Sequence, residues 1–467
     1  MKGTQCSTRS GGASARGCEP RDALTVGAMR LWWIMWDRVT TNGSFVRSSL
    51  AVVSGTVASQ AILFLLSPLL ARMFAPADFG DLANYNAWVS FLALISNLRY
   101  EQAMIVAKGR IAMNRIVALA LALSVVSALI FAAIAVAVYV VNLDAGYLEE
   151  IHDVVLLIPA GVLSTVIISL VAMFSTRRGL FRQLAMMTVT QVMISATLQV
   201  SFGAMHVSGG LVLGALGGSL ATAVIFLMWH FQRNRLRHLV REFRVRQLMA
   251  TARENVSFPR YTLAADSINV IVQQFVPVFL TAMFGPATAG IYAFSTRVVR
   301  VPALVVSTSV LTVLRKHAPD RLSDAGGPWR LFKTTVASLS LLAVGPFVVL
   351  LLFGKSIFGL VFGARWAEAG SVAQILTPGM MLEFVAIPMI VFFIVMGKQR
   401  YAFVSQVANI TLLAGALVAG RFAWRDFAGT CALISCAMVI VNILTLGLAS
   451  RACRTAAPRG VAPAVAS

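Results

Sequence analysis

From about residue 48 to residue 450 this chain is a succession of apolar runs, most of them about 20 residues or longer. A hydrocarbon layer about 30 Å thick is crossed by about 20 residues of α-helix. At that depth no water meets the backbone, so N–H and C=O groups must be satisfied within the protein, and such runs fold as helices. Twelve are read, at 48–74, 80–106, 114–142, 153–175, 183–204, 208–231, 262–284, 287–314, 331–353, 369–396, 401–420 and 427–450. Composition agrees: 58% of the residues are apolar, 12% are charged and the mean hydropathy is +0.81, far from the soluble average. The predicted class is an all-α integral membrane protein with about 12 transmembrane helices.

The runs are organised by an internal repeat. Ala71 to Ala83 reads ARMFAPADFGDLA and Thr281 to Ala293 reads TAMFGPATAGIYA. At a separation of 210 residues, Met73/Met283, Phe74/Phe284, Pro76/Pro286, Ala77/Ala287, Gly80/Gly290 and Ala83/Ala293 coincide. Each copy joins two apolar runs, an arrangement by which duplicated transporters place a substrate path between halves. The expected domains are a cytoplasmic, disordered N-terminal tail (1–47), an N-terminal six-helix bundle (48–231), a basic cytoplasmic linker (232–261), a C-terminal six-helix bundle (262–450) and a disordered C-terminal tail (451–467). The linker segment RNRLRHLVREFRVRQL suits a basic amphipathic helix on the membrane surface, or simply a connection between halves.

Short loops rich in Lys and Arg stay in the cytoplasm. With the N-terminus inside, 31 of the 39 basic residues fall on the cytoplasmic side, including eight from Arg233 to Arg260. Five fall opposite: Arg72, Lys355, Arg365, Arg421 and Arg425. Both termini are therefore expected in the cytoplasm. The net charge of +21 is explained by topology and calls for no nucleic acid. Cys6, Cys18, Cys431, Cys436 and Cys453 lack paired spacing and the five histidines are scattered, so no disulfide framework, metal site, cofactor or catalytic triad is read. The longest outer loop, about 20 residues around Lys355–Glu368, is too small for the catalytic loops of a glycan polymerase or ligase.

The remaining Arg99, Arg297 and Arg300 lie within spans, where a charge costs about 2.5–3.5 kcal/mol on insertion scales. Arg297 and Arg300 sit roughly 10–15 Å past Gly290 and, three residues apart, share a face. Paired guanidiniums bind a diphosphate well, each offering parallel N–H donors without losing charge. A structural ion pair with Asp266, or snorkelling to the interface, is the alternative. Asp266, Asn269 and Gln273 form one stripe, Thr188, Gln191, Ser195 and Gln199 another, and Gln406 with Asn409 a third. Such stripes line a wet path or glue helices together. On a continuous helix Arg99 and Glu101 point about 200° apart and do not simply neutralise each other. Candidate substrate contacts are therefore Arg99, Arg297, Arg300, Asn269, Gln273 and Gln191; candidate coupling or ion-pair residues are Asp266, Glu101 and Glu383.

The segment from Ser54 to Ala107 resembles the start of polysaccharide repeat-unit flippases of the O-antigen (Wzx-type) family, in the multidrug/oligosaccharidyl-lipid/polysaccharide (MOP) exporter superfamily. The resemblance rests on Arg72 to Gly80 (RMFAPADFG) and on Leu98-Arg99-Tyr100-Glu101, and is diffuse beyond about residue 110. It implies a V of two six-helix bundles like that of multidrug exporters, working by alternating access in the bacterial inner membrane. The implied cargo is an oligosaccharide on undecaprenyl diphosphate, flipped toward the periplasm for O-antigen, capsule or exopolysaccharide synthesis. Membrane lipids, a glycan polymerase and a chain-length regulator are the implied partners, and a non-enzymatic role follows. An ion-coupled multidrug exporter is the alternative, followed by a membrane-embedded glycan ligase.

Overall fold

The computed structural model describes residues 45–107, 109–141, 152–232, 245–317 and 327–455. The expected tail over 1–44, the first part of the basic linker (233–244) and the end of the C-terminal tail (456–467) lie outside the described residues. All twelve expected spans are helical. They correspond to α1 (Phe45–Met73), α2 (Pro76–Ser96), α3 (Gly109–Val141), α4 (Ile158–Arg177), α5 (Phe181–Ala204) and α6 (Gly210–Gln232) before the linker. The linker contributes α7 (Val245–Glu254). Beyond it come α8 (Leu263–Gln274), α9 (Val276–Phe284), α10 (Pro286–His317), α11 (Gly327–Phe362), α12 (Ala367–Val395), α13 (Gln399–Ala419) and α14 (Phe427–Arg454).

Nine of these helices are individually long and apolar enough to cross a membrane, or ten with one bent pair counted as a span. The chain is a multi-pass membrane protein. The bent pair is the expected span 262–284, which breaks by 49° between Gln274 and Val276. Pro277 follows the break; its ring leaves no N–H for the preceding turn and disfavours helix before it. The two expected spans outside that set are α2 and α10, the helices that begin in the repeated motif. Their polar residues face protein: Asn84 is 1% exposed and Ser295 0%.

Three boundaries depart from the sequence reading. The span expected at 80–106 stops at Ser96, because Leu98 and Arg99 adopt left-handed backbone (φ 49° and 62°) before a 3-10 turn over Tyr100–Ile105. Helix α11 runs on to Phe362, so Lys355 is helical and the outer loop expected around Lys355–Glu368 is much shorter. Helix α14 continues through Arg451–Arg454, where a disordered tail was expected. In the linker, α7 packs against α3, and the Tyr100 hydroxyl donates to the Ala252 carbonyl at 3.2 Å.

Most packing joins helices on the same side of the linker: α5 on α6, α4 on α6, α11 on α12 and α12 on α14. Helix α2 is the exception that matters, since it lies along α10 and also meets α8 and α9. Their crossing point is the repeated motif itself. A Cβ on Gly80 would overlap the Pro286 carbonyl oxygen, and a Cβ on Gly290 would overlap that of Pro76. The contact is reciprocal, as a two-fold interface requires, and only glycine permits backbones this close.

Candidate functional site

Directly below the glycine crossing lies a cavity of about 430 Å³. Helix α2 contributes Phe79, Leu82, Ala83 and Asn86, while α10 contributes Tyr292, Ala293, Thr296, Arg297 and Arg300. Gln273 and Gln274 enter at the break after α8, Glu383 from α12, Asn409 from α13 and Asn442 from α14. Polar groups thus converge from six helices, a lining suited to a hydrophilic cargo.

Both arginines on α10 face this space, as their three-residue spacing predicts. Their partners differ. Arg300 Nη2 donates to Glu383 Oε2 at 3.0 Å, whereas Arg297 forms no hydrogen bond or ion pair among the described residues. Asp266 is not their partner, so the alternative ion pair read from the sequence is replaced by Arg300–Glu383. A guanidinium without a counter-ion in a membrane interior is costly. Its planar donors are left for an anion in the cavity.

Asp266 instead accepts from Arg99, whose Nη2 lies 2.7 Å from Asp266 Oδ2. Arg99 Nη1 also reaches Glu101 Oε1 at 3.0 Å, and Gln102 Nε2 reaches Asp266 Oδ2 at 3.2 Å. The expectation that Arg99 and Glu101 point apart is therefore corrected. It assumed a continuous helix, and the left-handed pair Leu98–Arg99 turns the Arg99 side chain onto both acids. This cluster ties the end of α2 to α8, and neither Arg99 nor Glu101 lines the cavity.

Gln273 lines the cavity, but Asn269 is exposed off its lining and Gln191 sits half-buried on α5, also off it. The stripe containing Gln191 serves packing: Gln199 Nε2 donates to the Leu211 carbonyl at 3.0 Å, and Ser195 abuts Gly218. Asn86, Thr296 and Asn442 were missed by the sequence reading. Asn86 and Thr296 are themselves separated by 210 residues, so the repeat already paired them. Asn442 carried no such signal.

The end of the cavity beside the motif is shut. Phe79 packs edge-on to Phe294 and Trp366, with ring centroids 5.1 and 5.0 Å away, and Phe294 lies 4.1 Å from Trp366. Trp366 Nε1 donates to the Ala71 carbonyl at 2.7 Å, and Arg365 Nη2 to the Arg72 carbonyl at 3.3 Å. These carbonyls end α1 and have no helical N–H to accept from. Among the described residues no group of His, Cys, Asp and Glu is placed to hold a metal.

Residues 69–371 match the sequence model of a family described as polysaccharide biosynthesis protein. The chain belongs to that family. No curated protein matches the sequence. Among solved structures, the fold is similar to an inward-facing multidrug resistance MATE transporter of the MOP superfamily, with TM-score 0.67 and 13% identity over 85% of this chain and 95% of that one. An outward-facing MATE transporter gives 0.52 at 12% identity, covering 88% and 96%. A MOP transporter from Pyrococcus furiosus, described as having a binding pocket of reverse polarity, gives 0.53 at 12% identity, covering 90% and 98%. This member of the polysaccharide biosynthesis family thus has the MOP transporter fold, as the sequence resemblance implied.

Proposed function

We propose that this protein is a flippase that moves undecaprenyl-diphosphate-linked oligosaccharide from the cytoplasmic to the periplasmic leaflet of a bacterial inner membrane. The observation that carries the reading is Arg297, which faces the central cavity with no acidic partner among the described residues, beside an Arg300 that has one. A diphosphate supplies what Arg297 lacks and competes with Glu383 for Arg300. Sugar hydroxyls cannot enter hydrocarbon unaided, and Asn86, Gln273, Thr296, Asn409 and Asn442 offer them replacement partners.

The higher likeness to the inward-facing transporter supports taking the shut Pro76/Pro286 end as the periplasmic one. The basic loops favour the same orientation, with both termini in the cytoplasm. In this cycle the two six-helix halves, 48–231 and 262–450, rock so that the α2–α10 contact opens. Separation at Gly80 and Gly290 then exposes the cargo outward. Catalysis has no part in it, and the bond to the lipid stays intact.

The test deletes the gene in its host and locates lipid-linked repeat units with a membrane-impermeant sugar-modifying reagent. Cytoplasmic accumulation with loss of surface polysaccharide, restored by the native gene and not by Arg297→Ala, is the expected result. Unimpaired delivery to the periplasmic face overturns the proposal and favours a drug exporter.

A further inference from the structure

A second, wholly apolar cavity of about 400 Å³ lies on the other side of α10 from the polar one. It is a groove between α10 and α11, closed at one edge by Phe64 of α1 and lined by residues such as Pro302, Leu342, Pro346, Val349 and Phe362. Its lining follows α11 from Leu342 to Phe362, about 30 Å of helix. Proline lies within both walls, Pro302 in α10 and Pro346 in α11, where each removes a backbone N–H from the helical ladder. Among the described residues no polar side chain lines it.

The groove and the polar cavity flank a small space of about 20 Å³. This space is bounded by Arg300 and Glu383, both of which also line the polar cavity, and shares Val299, Ala303, Phe347 and Phe384 with the groove. The Arg300–Glu383 pair therefore stands between a chamber lined by polar groups and a groove whose described lining is all hydrocarbon. The molecule that fills both at once has an anionic head and a long apolar chain attached to it. A free sugar phosphate leaves the groove empty, and an uncharged lipid leaves Arg297 unpaired.

We infer that the groove between α10 and α11 holds the polyprenyl chain of the lipid-linked cargo while its diphosphate sits at Arg297 and Arg300. This rests on the flippase reading and adds the route of the tail. A head crossing the membrane interior needs a lateral exit for its chain at the depth of the head, and the small space beside Arg300 is where the polar cavity and the groove come together. Burial of apolar chain is stabilising only when the chain leaves water; a chain that comes from lipid gains little. The groove therefore steers the tail and leaves affinity to the head.

The test places a benzophenone amino acid at Val349, which lines the groove and is 50% exposed, and separately at Leu352, which is 63% exposed on the same helix outside the groove. Full-length protein in bacterial phospholipid vesicles is irradiated with undecaprenyl diphosphate carrying one radiolabelled sugar, and binding of the label is measured separately without irradiation. The expected result is several-fold more labelling at position 349 than at 352, with that excess lost in Arg297→Ala. Equal labelling at the two positions, or reaction at 349 with phospholipid alone, overturns the groove assignment; if binding of the label persists, the flippase reading survives. Absence of any binding overturns both.

Discussion

The two copies of the repeated motif share a proline start and a glycine crossing and differ in chemistry. Both begin a helix with proline, and each places its glycine against the other's proline carbonyl. Beyond the crossing, cavity-lining positions still correspond: Leu82 with Tyr292, Ala83 with Ala293 and Asn86 with Thr296. The register then separates them. Ala87 and Ser90 of α2 stand where α10 has Arg297 and Arg300. Asn84 bonds Thr281 at 2.9 Å, while its counterpart Phe294 packs on Trp366 and Phe79. Duplication supplies a symmetric frame, and one copy alone supplies the cations. A cargo with one charged end and a neutral remainder suits that division.

The strongest way to break the comparison is at the shared position. Gly80→Leu and Gly290→Leu drive a side chain into a backbone carbonyl that cannot rotate away, so the α2–α10 contact must open. Overpacking of this kind costs typically 1–3 kcal/mol. Both variants are expected to melt lower in detergent and to lose surface polysaccharide. Gly345→Ala on α11 is the control, because its Cβ would meet nothing within 4 Å, and it should transport normally. Equal behaviour of one crossing variant and the control removes the crossing from the mechanism.

Next come the positions where the copies differ. A hydrogen bond to a charged group is worth about 1.5–3 kcal/mol, so Arg297→Ala should weaken binding of undecaprenyl diphosphate roughly 10- to 150-fold. Arg297→Lys keeps the charge without the planar fork and should fall between. Ala87→Arg, at the matching position of α2, should not rescue Arg297→Ala, because Ala87 is fully buried and does not line the cavity. Rescue would mean that charge in the membrane interior matters and its side does not.

Much of the fold was legible because the relevant physics is local. Apolar length fixes a span without reference to partners, and all twelve expected spans are helical. Arg297 and Arg300 were legible as a pair for a similar reason, since helical spacing fixes a shared face. What failed was non-local or depended on an unseen break. Nothing in the run from 80 to 106 announces the left-handed backbone at Leu98 and Arg99, so the Arg99–Glu101–Asp266 cluster was misread. The stripe around Gln191 looked as wet as the one containing Gln273, and only packing against Gly218 distinguishes glue from lining.

That cluster gives a smaller prediction. Asp266→Asn removes the ionic tie from α8 to the end of α2 but leaves Arg99 with Glu101. Both Arg99 and Asp266 are about a quarter exposed, so solvent screening limits the loss to about 1 kcal/mol. Thermal stability should drop slightly, and binding of undecaprenyl diphosphate should be unchanged, since Arg99 is off the cavity. A loss of binding as large as that of Arg297→Ala would return Arg99 to the substrate path.

The smallest expected effect is the most diagnostic of how the copies diverged. In the second copy the Gly285 N–H bonds the Thr281 carbonyl at 2.8 Å, which completes the end of its helix. The matching N–H in the first copy, that of Ala75, is taken by Asp78 Oδ2 at 2.7 Å. The Ala71 carbonyl is thereby left for Trp366 Nε1. Trp366→Phe keeps an aromatic ring against Phe79 and Phe294 but deletes this donor, at a cost of about 1 kcal/mol. In an Asp78→Ala background the Ala75 N–H is released to serve the Ala71 carbonyl, as in the second copy, and the same substitution should cost measurably less. A double-mutant cycle on thermal stability reads that coupling directly. Strict additivity would mean that Asp78 and Trp366 act independently, and that the first copy's dependence on a residue 295 positions away from Ala71 has another origin.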